Sequence, residues 1–368
     1  MSPKPRFLPT VLLTAVFLTV VLLLCPPFCR AEIAVTERPA AQMPNAVHAW
    51  TFAVARAGTR LVVVAERGII LLSDDNGKSW RQASSPVSVS LLALQFVSDR
   101  VGWAVGHFGV VLHTEDGGAT WTRQLDGKQA AQRLLDDAQA RLQQHKGNPE
   151  VLQKRLAEAQ RAVAEGPDKP LLDLYFENER VGYVVGAYNW IFRTDDGGRS
   201  WQPWQTHVDN PGGFHLYGIR QAGNALFLVG EQGLLLRSLD GGANFNKIPS
   251  PYNGTYFGLS SLADGGLLAY GLRGSAFRSD DQAAHWSKID SASQNAISAA
   301  LTLQDGAVLL VSQVGEIVLS KDGGRSFQSQ KISNPKPLTG IVQAADGTIV
   351  ATGFKGVSTF NPASFKAQ

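Results

Sequence analysis

TEDGGATW, residues 114–121, is one of six copies of an eight-residue motif in this 368-residue chain. The order of residue types predicts a tight turn between two strands. The Asp carboxylate accepts hydrogen bonds from N–H groups of its own turn, Gly supplies positive φ, and the aromatic residue begins the next strand. The other copies are SDDNGKSW (73–80), TDDGGRSW (194–201), SLDGGANF (238–245), SDDQAAHW (279–286) and SKDGGRSF (320–327). A turn that returns about every 41 residues indicates an array of equal β-units.

Each unit contains four short segments rich in β-forming residues. In the second unit they are LLALQFVSD (91–99), VGWAVG (101–106), VVLHT (110–114) and WTRQL (121–125), and the third unit repeats this order. Four antiparallel strands in about 40 residues are typical of a β-propeller blade. The sequence therefore predicts an all-β fold over residues 32–368, a seven-bladed β-propeller of four-stranded antiparallel blades.

The seventh unit, GIVQAADGTIVATGFKGVSTFNPASF (340–365), is degenerate. It keeps the strand pattern and ends on Phe365, but it has Phe360 where the motif has Asp. We expect the ring to close by pairing of EIAVTE (32–37) with this last blade, and residues 363–368 are the alternative closing segment.

One interval between motifs is twice as long as the others, and the extra residues fall at 127–169. Apolar residues there recur at spacings of three and four, on both sides of the breaker KGNP (146–149). This pattern predicts a helical hairpin inserted between blades two and three. Pro149 is expected to open the second helix, and Gly166-Pro167 to end it.

The N-terminus has the layout of a secretory signal. Lys4 and Arg6 precede the apolar stretch VLLTAVFLTVVLLL (11–24), and small residues, Cys29 and Ala31, occupy the third and first positions before a cleavage point after Ala31. We therefore predict that residues 1–31 are a cleaved signal peptide and that the protein is periplasmic or otherwise exported. An uncleaved anchor over residues 7–24 is the alternative. Leu24, rather than a small residue, precedes Cys25, which argues against a lipid-attachment signal.

Composition excludes several classes of function. Both cysteines lie in the leader, so a mature form contains neither thiols nor disulfides. The leader also carries three basic residues and no acidic ones, and its removal leaves 31 of each, without the basic excess of a nucleic-acid-binding protein. The histidines have no metal-ligand spacing, and no Gly-rich phosphate loop opens a helix. We predict no metal, no cofactor, no nucleic acid and no catalytic residue.

The motif aspartates invite an acid–base or metal role, but they fall on different blades, too far apart to share a ligand. A structural role in each turn is therefore predicted for Asp75, Asp116, Asp196, Asp240, Asp281 and Asp322. The fifth copy supports this interpretation, because Ala283 and Ala284 replace the glycines there. The tryptophans that end the motifs are expected to pack between blades rather than to bind sugars.

The opposite face of the ring is the better place for a partner. It collects the turns between second and third strands, together with the hairpin, and these turns differ from blade to blade while the strands repeat. Aromatic and basic residues near a channel mouth are common interface anchors. The candidate partner-binding residues are Arg67, His107, Phe108, Tyr188, Trp190, Arg273 and Lys355.

The motif is the Asp box (BNR-type repeat) of sialidases and related secreted propellers. The longer units GWAVGHFGVVLHTEDGGATW (102–121) and GYVVGAYNWIFRTDDGGRSW (182–201) resemble the photosystem II stability/assembly factor family, over about residues 45–365. The resemblance implies a seven-bladed, non-enzymatic chaperone that holds a membrane-protein partner during assembly. The hairpin at 127–169 departs from the plain propeller of that family.

Three functions remain open. The first is an exported scaffold that binds a membrane protein or a transporter-like complex through the turn-bearing face and the hairpin, compatible with peripheral membrane association. The second is a sialidase-like glycoside hydrolase, which needs a nucleophile, an acid and three converging arginines. Only Arg67 and Arg273 fall on the face, no Arg-Ile-Pro string precedes the first blade, and those enzymes have six blades. The third is a propeller that binds a small ligand or pigment at the channel mouth.

Overall fold

Seven antiparallel sheets follow one another in the computed structural model, which describes residues 34–332, 334–362 and 365. Blades one to three comprise β1–β12: Thr51–Ala57, Arg60–Ala65, Ile70–Ser73, Arg81–Gln82; Leu91–Phe96, Gly102–Gly106, Val111–Thr114, Thr122–Leu125; Leu171–Phe176, Gly182–Gly186, Ile191–Thr194, Gln202–Pro203. Blades four and five comprise β13–β20: Leu216–Ala222, Ala225–Gly230, Leu235–Ser238, Asn246–Lys247; Tyr256–Ser261, Leu267–Gly271, Ala276–Ser279, Ser287–Ile289. Blades six and seven comprise β21–β27: Ile297–Thr302, Val308–Ser312, Ile317–Ser320, Gln328–Ser329; Leu338–Gln343, Ile349–Gly353, Ser358–Phe360.

The chain runs through each blade in order, so that consecutive strands pair by antiparallel hairpins. The first strand of every blade contacts the first strand of the next, and β1 contacts β25. The first strands therefore form a closed inner ring around the central channel, as predicted for a seven-bladed all-β propeller. Hydrophobic clusters fill the spaces between neighbouring blades.

The inner strand of every blade carries a β-bulge at its second residue. In blade one, Thr51 pairs with Ala65 and Ala53 with Val64, so that Phe52 has no partner in the ladder. The same shift recurs in the other six blades. A bulge leaves one residue unpaired and turns its side chain away from the regular alternation.

The predicted helical hairpin is confirmed. It consists of α1 (Gly127–Gln143) and α2 (Pro149–Glu165), between blades two and three. Asp126 and Gln129 form a capping box at the start of α1, and Asn148 caps α2, which begins at the proline and is followed by Gly166 at φ 88°. Small side chains on the inner face, Ala130, Ala131 and Ala162, join the cluster between blades two and three.

The Asp boxes also join neighbouring blades. At five successive boundaries, a side chain of one blade donates to the carbonyl of the residue after the Asp of the next box. We call these contacts the inter-blade latches. The donor–acceptor pairs are Arg60–Gly117 (3.2 Å), Gln124–Gly197 (2.8 Å), Tyr183–Gly241 (3.1 Å), Arg237–Gln282 (2.8 Å) and Arg278–Gly323.

The predicted closure by residues 32–37 is wrong for residues 35–37. Ser88 N–H donates to the Val35 carbonyl at 2.8 Å, which places this segment along the connection from blade one to blade two. The ring closes instead through Thr51, whose hydroxyl donates to the Gly353 carbonyl at 3.1 Å and accepts from the Gly353 N–H at 2.9 Å. Blade seven has three strands among the described residues, and the other six blades have four.

Candidate functional site

The turns between second and third strands lie beside the starts of the inner strands, as predicted. Glu66 N–H donates to the Trp50 carbonyl at 2.8 Å, and His107 N–H donates to the Ser90 carbonyl at 2.9 Å. Equivalent bonds recur in other blades. We call the surface formed by these turns, the inner-strand starts and the hairpin the loop face. The Asp boxes and the Asp99-Arg100 turn lie on the opposite side, where Gly117 N–H donates to the Arg100 carbonyl at 2.8 Å.

Five of the loop-face turns hold a long or bulky residue in the left-handed conformation. The φ angles are 54° at Arg67, 58° at Phe108, 55° at Tyr188, 54° at Gln232 and 57° at Arg273, and the next residue of each turn also has positive φ. Two such residues form a type I′ hairpin turn, for which Asn and Gly are preferred. A bulky L-residue costs about 1 kcal/mol or more there. Because the fold favours other residues at these positions, the large side chains point to a role in binding.

Most of the predicted partner-binding residues lie on this surface. Arg67, His107, Arg273 and Lys355 are exposed, and Phe108 is partly buried against the cluster between blades one and two. Arg67 approaches the Glu66 carboxylate at 3.9 Å. Partial burial of the His107 ring lowers its pKa below the usual value.

Trp190 does not belong to this surface. It is only 4% exposed, and its ring packs edge-on against Phe192 at 5.8 Å, within the cluster between blades two and three. Its position directly after the exposed turn suggested exposure, but Trp190 immediately precedes the third strand and packs against the neighbouring blade. We therefore exclude Trp190 from the candidate contact residues.

Tyr188 joins the end of the hairpin to blade four. Its ring is 60% exposed, lies 4.7 Å from the ring of His215, and has the Lys169 ammonium 5.4 Å from its centroid. Lys169 is held at 2.7 Å by both Glu165 and Asp168; burial opposes its charge, but these carboxylates raise its pKa above the usual value. His215 Nδ1 in turn lies 2.9 Å from Glu231 Oε1. Charges on this half of the loop face are thus paired.

Exposed apolar residues that the sequence analysis did not select also concentrate on the loop face. Nine large hydrophobic side chains are exposed among the described residues, and seven of them are on this face: Val151 and Val163 on the hairpin, and Trp50, Tyr188, Leu272, Val314 and Phe354 on the turns and inner-strand starts. The rings of Trp50 and Phe354 pair across the closing boundary at 5.4 Å. Trp50 directly precedes the inner strand of blade one, and every inner strand starts on this face. Strand order alone could therefore have placed Trp50 there.

The Asp boxes are structural in every described copy. The Asp carboxylate accepts from the N–H four residues later at 2.9 Å in all six. The Ser or Thr two residues before it donates to the same carboxylate at 2.6–2.9 Å. In the fifth copy the two positive-φ positions are Gln282 and Ala283, rather than the predicted pair Ala283 and Ala284. The hydrogen bonds of the Asp carboxylate and the Ser279 hydroxyl therefore hold this turn without glycine.

These bonds predict a loss of stability in acid. Hydrogen bonds lower the pKa of Asp75 to about 2 (chiefly from the Ser79 hydroxyl), of Asp240 to about 2 (from the Ser238 hydroxyl) and of Asp281 to about 2 (from the His285 N–H). Since the folded pKa is below the unfolded value near 3.9, the contribution is complete above about pH 4 and is lost as the pH falls toward 2. Thermal unfolding followed by circular dichroism should show this decline. A variant with all three aspartates replaced by Asn should be less stable at pH 7, and its stability should fall less steeply between about pH 4 and about pH 2. An equally steep fall in stability would contradict the assignment.

The described residues provide no other site chemistry. They contain no group of three or more His, Cys, Asp or Glu side chains able to hold a metal, and no helix long and apolar enough to cross a membrane. Arg67 and Arg273 are on separate turns of blades one and five, without the third arginine of a sialidase site in any turn of this face. Arg220, on an inner strand, is paired with Asp173 at 2.5 Å; burial opposes its charge, but Asp173 raises its pKa.

Together these features define a class, the seven-bladed Asp-box propellers with a surface suited to a macromolecular partner. A family model described as "Photosynthesis system II assembly factor YCF48" matches residues 72–145 and 153–331, well over half of the chain. The chain belongs to this family, which confirms the resemblance seen in the second and third blades.

Curated relatives match over shorter stretches. "Photosystem II assembly lipoprotein Ycf48" of Synechococcus sp. (strain CC9902) is 35% identical over 97 residues, 24% of this chain and 29% of that protein. "Photosystem II assembly protein Ycf48" of Thermosynechococcus vestitus is 36% identical over 73 residues, 19% of this chain and 21% of that protein. The matches thus span less than a third of these relatives. The leader of this chain is outside the described residues, so its cleavage and type stay predictions.

Solved structures share the fold over nearly the whole ring. "YCF48 bound to D1 peptide" superposes with a TM-score of 0.61 at 17% identity, covering 87% of this chain and 94% of that one. "YCF48 from Cyanidioschyzon merolae" gives 0.62 at 14% identity, covering 88% and 99%. At these identities the likeness establishes the propeller architecture alone.

Proposed function

We propose that this protein is an exported, non-enzymatic scaffold that holds a segment of a membrane-protein client on its loop face during assembly. Membership of the assembly-factor family supports the role, and the solved structure "YCF48 bound to D1 peptide" is one example of a peptide as ligand. The observation that carries the proposal is the concentration of exposed apolar side chains on the loop face, beside bulky turn residues held in a left-handed conformation. Apolar patches of this kind mark interaction sites.

The hairpin belongs to the same surface in this proposal. It emerges from the connection between blades two and three, and Lys169 at its end lies over the Tyr188 ring. α2 also exposes Val151 (49%) and Val163 (40%). These side chains extend the contact surface beyond the ring, so the client is expected to touch both hairpin and turns.

Site-specific photo-crosslinking in membranes of the native host tests the proposal. A photoreactive residue at Tyr188 or Arg273 should give adducts that mass spectrometry identifies as an integral membrane protein. The matched control is Leu239, which is 58% exposed in the Asp box of blade four on the opposite face. Adducts at Leu239 but not at the loop-face positions would show that the wrong face has been assigned. A glycan-cleaving activity of the purified protein would overturn the scaffold role.

A further inference from the structure

The seven bulged residues of the inner strands occupy equivalent positions at the loop-face end of the channel. Each follows a buried residue that starts an inner strand, and each is itself partly exposed. In blade order they are Phe52, Leu92, Leu172, Tyr217, Phe257, Ser298 and Thr339. Five consecutive blades thus supply a large apolar or aromatic residue. We call these five residues the channel collar.

The collar is not part of the packed core. None of its members belongs to the hydrophobic clusters that fill the spaces between blades, although those clusters include at least one adjacent residue of each. Tyr217 and Phe257 instead meet each other across a blade boundary, with ring centroids 5.7 Å apart. Their partial exposure beside the channel leaves apolar surface that a ligand can cover.

The two polar bulged residues, which are not part of the collar, already have hydrogen-bond partners within the protein. Ser298 donates to the Leu338 carbonyl at 2.7 Å, and Thr339 donates to the Thr51 carbonyl at 2.8 Å, so both hydroxyls bond to the next blade. A regular strand would alternate these positions into the blade interface, and the bulge re-aims them. A structural role therefore accounts for the bulge residues of blades six and seven, but it does not account for the apolar residues of blades one to five.

Charges around the mouth are distributed unevenly. Near blades three and four they are paired, in the contacts of Lys169 and His215 described above. Among the described residues, Arg273 and Lys355, on blades five and seven, have no ion pair. The carboxylate of Glu316 between them accepts from the Ser293 hydroxyl and from the Asn295 amide at 3.1 Å. The mouth thus offers an apolar collar with free cations on one side.

We propose that the channel collar receives bulky apolar side chains of an extended client segment, and that acidic residues flanking them in that segment contact Arg273 and Lys355. This inference rests on the proposed function and names the chemistry of the client segment. Free cations beside an apolar mouth fit an acidic, amphipathic peptide by charge complementarity. The exposed pair Trp50 and Phe354 at the rim extends the same apolar surface.

Fluorescence anisotropy with three labelled twelve-residue peptides tests the inference on the full-length protein. The first peptide has Leu-Phe at its centre and Glu on both flanks, the second replaces Leu-Phe with Ser-Ser, and the third replaces Glu with Lys. We expect the first to bind at least about tenfold more tightly than either of the others, because it alone buries a large apolar side chain beside the cations. Equal binding of all three peptides would overturn the inference.

Two variants locate the site. Phe257→Ser should weaken binding of the acidic peptide about tenfold, and Arg273→Glu with Lys355→Glu should weaken it by a similar factor. Leu239→Ser is the matched control on the other face and should bind as the parent does. Since Phe257 lies outside the core clusters and its ring contact is with Tyr217, its variant should unfold within a few degrees of the parental temperature, so a loss of binding is not a loss of fold.

Other occupants give different results. If Phe257→Ser abolishes binding of the dye anilinonaphthalene sulfonate but leaves peptide binding intact, the collar is a small-ligand site and the inference is wrong. If the protein floats with phosphatidylserine vesicles and Arg273→Glu with Lys355→Glu abolishes flotation without changing peptide binding, the surface faces a bilayer and the inference is again wrong. Client adducts at Tyr188 together with peptide binding indifferent to Phe257 would leave the scaffold role standing and remove only the collar.

Discussion

Gly274→Ala should lower the free energy of unfolding by about 3 kcal/mol, although it adds a single methyl group. Gly274 has φ +67°, and a Cβ there would lie 1.9 Å from the carbonyl oxygen of Ser293 and 2.7 Å from its carbonyl carbon. Both are backbone atoms of the connection from blade five to blade six, so no side-chain rotation relieves the contact. Urea denaturation followed by tryptophan fluorescence measures the loss.

A matched glycine separates the contact from the backbone conformation. Gly265 has φ +83°, and a Cβ there would meet nothing within 4 Å. Gly265→Ala should therefore lower the free energy of unfolding by only about 1 kcal/mol, the cost of holding alanine in the left-handed conformation. If the two variants lost the same stability, close approach of the turn to the next connection would not contribute. The result bears on function too, because Ser291 donates to the Gly274 carbonyl at 2.7 Å and thereby links this loop-face turn to the same connection.

The elements predicted from the sequence are those determined by local interactions. The Asp box is closed by hydrogen bonds within eight residues, so its six copies are visible in the chain and the same 2.9 Å contact recurs in each. The hairpin follows from its periodicity and from a helix-starting Pro149. The loop face followed from strand order alone, because antiparallel connections must alternate between the two ends of a blade.

The features that the sequence did not reveal depend on contacts between blades. Trp190 is buried because blade two packs over it, and nothing in the string YNW indicates that. The segment 35–37 has β-forming residues but lies along a connection rather than beside the last blade. The bulges add one residue to strands whose two faces are both apolar, so the register shift leaves little trace in the pattern.

The inter-blade latches could not be predicted from the sequence for a different reason. Their donors are Arg, Gln or Tyr on second, third or fourth strands, and no fixed spacing relates a donor to its acceptor. What the five contacts share is the acceptor, a carbonyl that the Asp box holds in one position. The box is therefore a turn for its own blade and a binding point for the blade before it.

Arg278 forms the most buried of the arginine latches, and its removal is the second large effect that we expect. Its side chain is 2% exposed and donates to the Gly323 carbonyl, to Asp280, and to Asp264 Oδ2 at 2.6 Å. Arg278→Ala should lower the free energy of unfolding by about 2–3 kcal/mol, through lost packing of the stem and lost charge-assisted hydrogen bonds. The two carboxylates are substantially exposed, which keeps the loss below that of a fully buried ion pair.

Arg237 is the natural comparison, since it occupies the equivalent latch between blades four and five with a single bond of 2.8 Å to the Gln282 carbonyl. Arg237→Ala should lower the free energy of unfolding by about 1 kcal/mol, the contribution of one hydrogen bond. Arg278→Met retains the apolar stem and removes the donors, so it should recover less than half of the stability lost in Arg278→Ala. Full recovery in urea denaturation would mean that packing alone joins blades five and six, and that the Gly323 carbonyl is no latch.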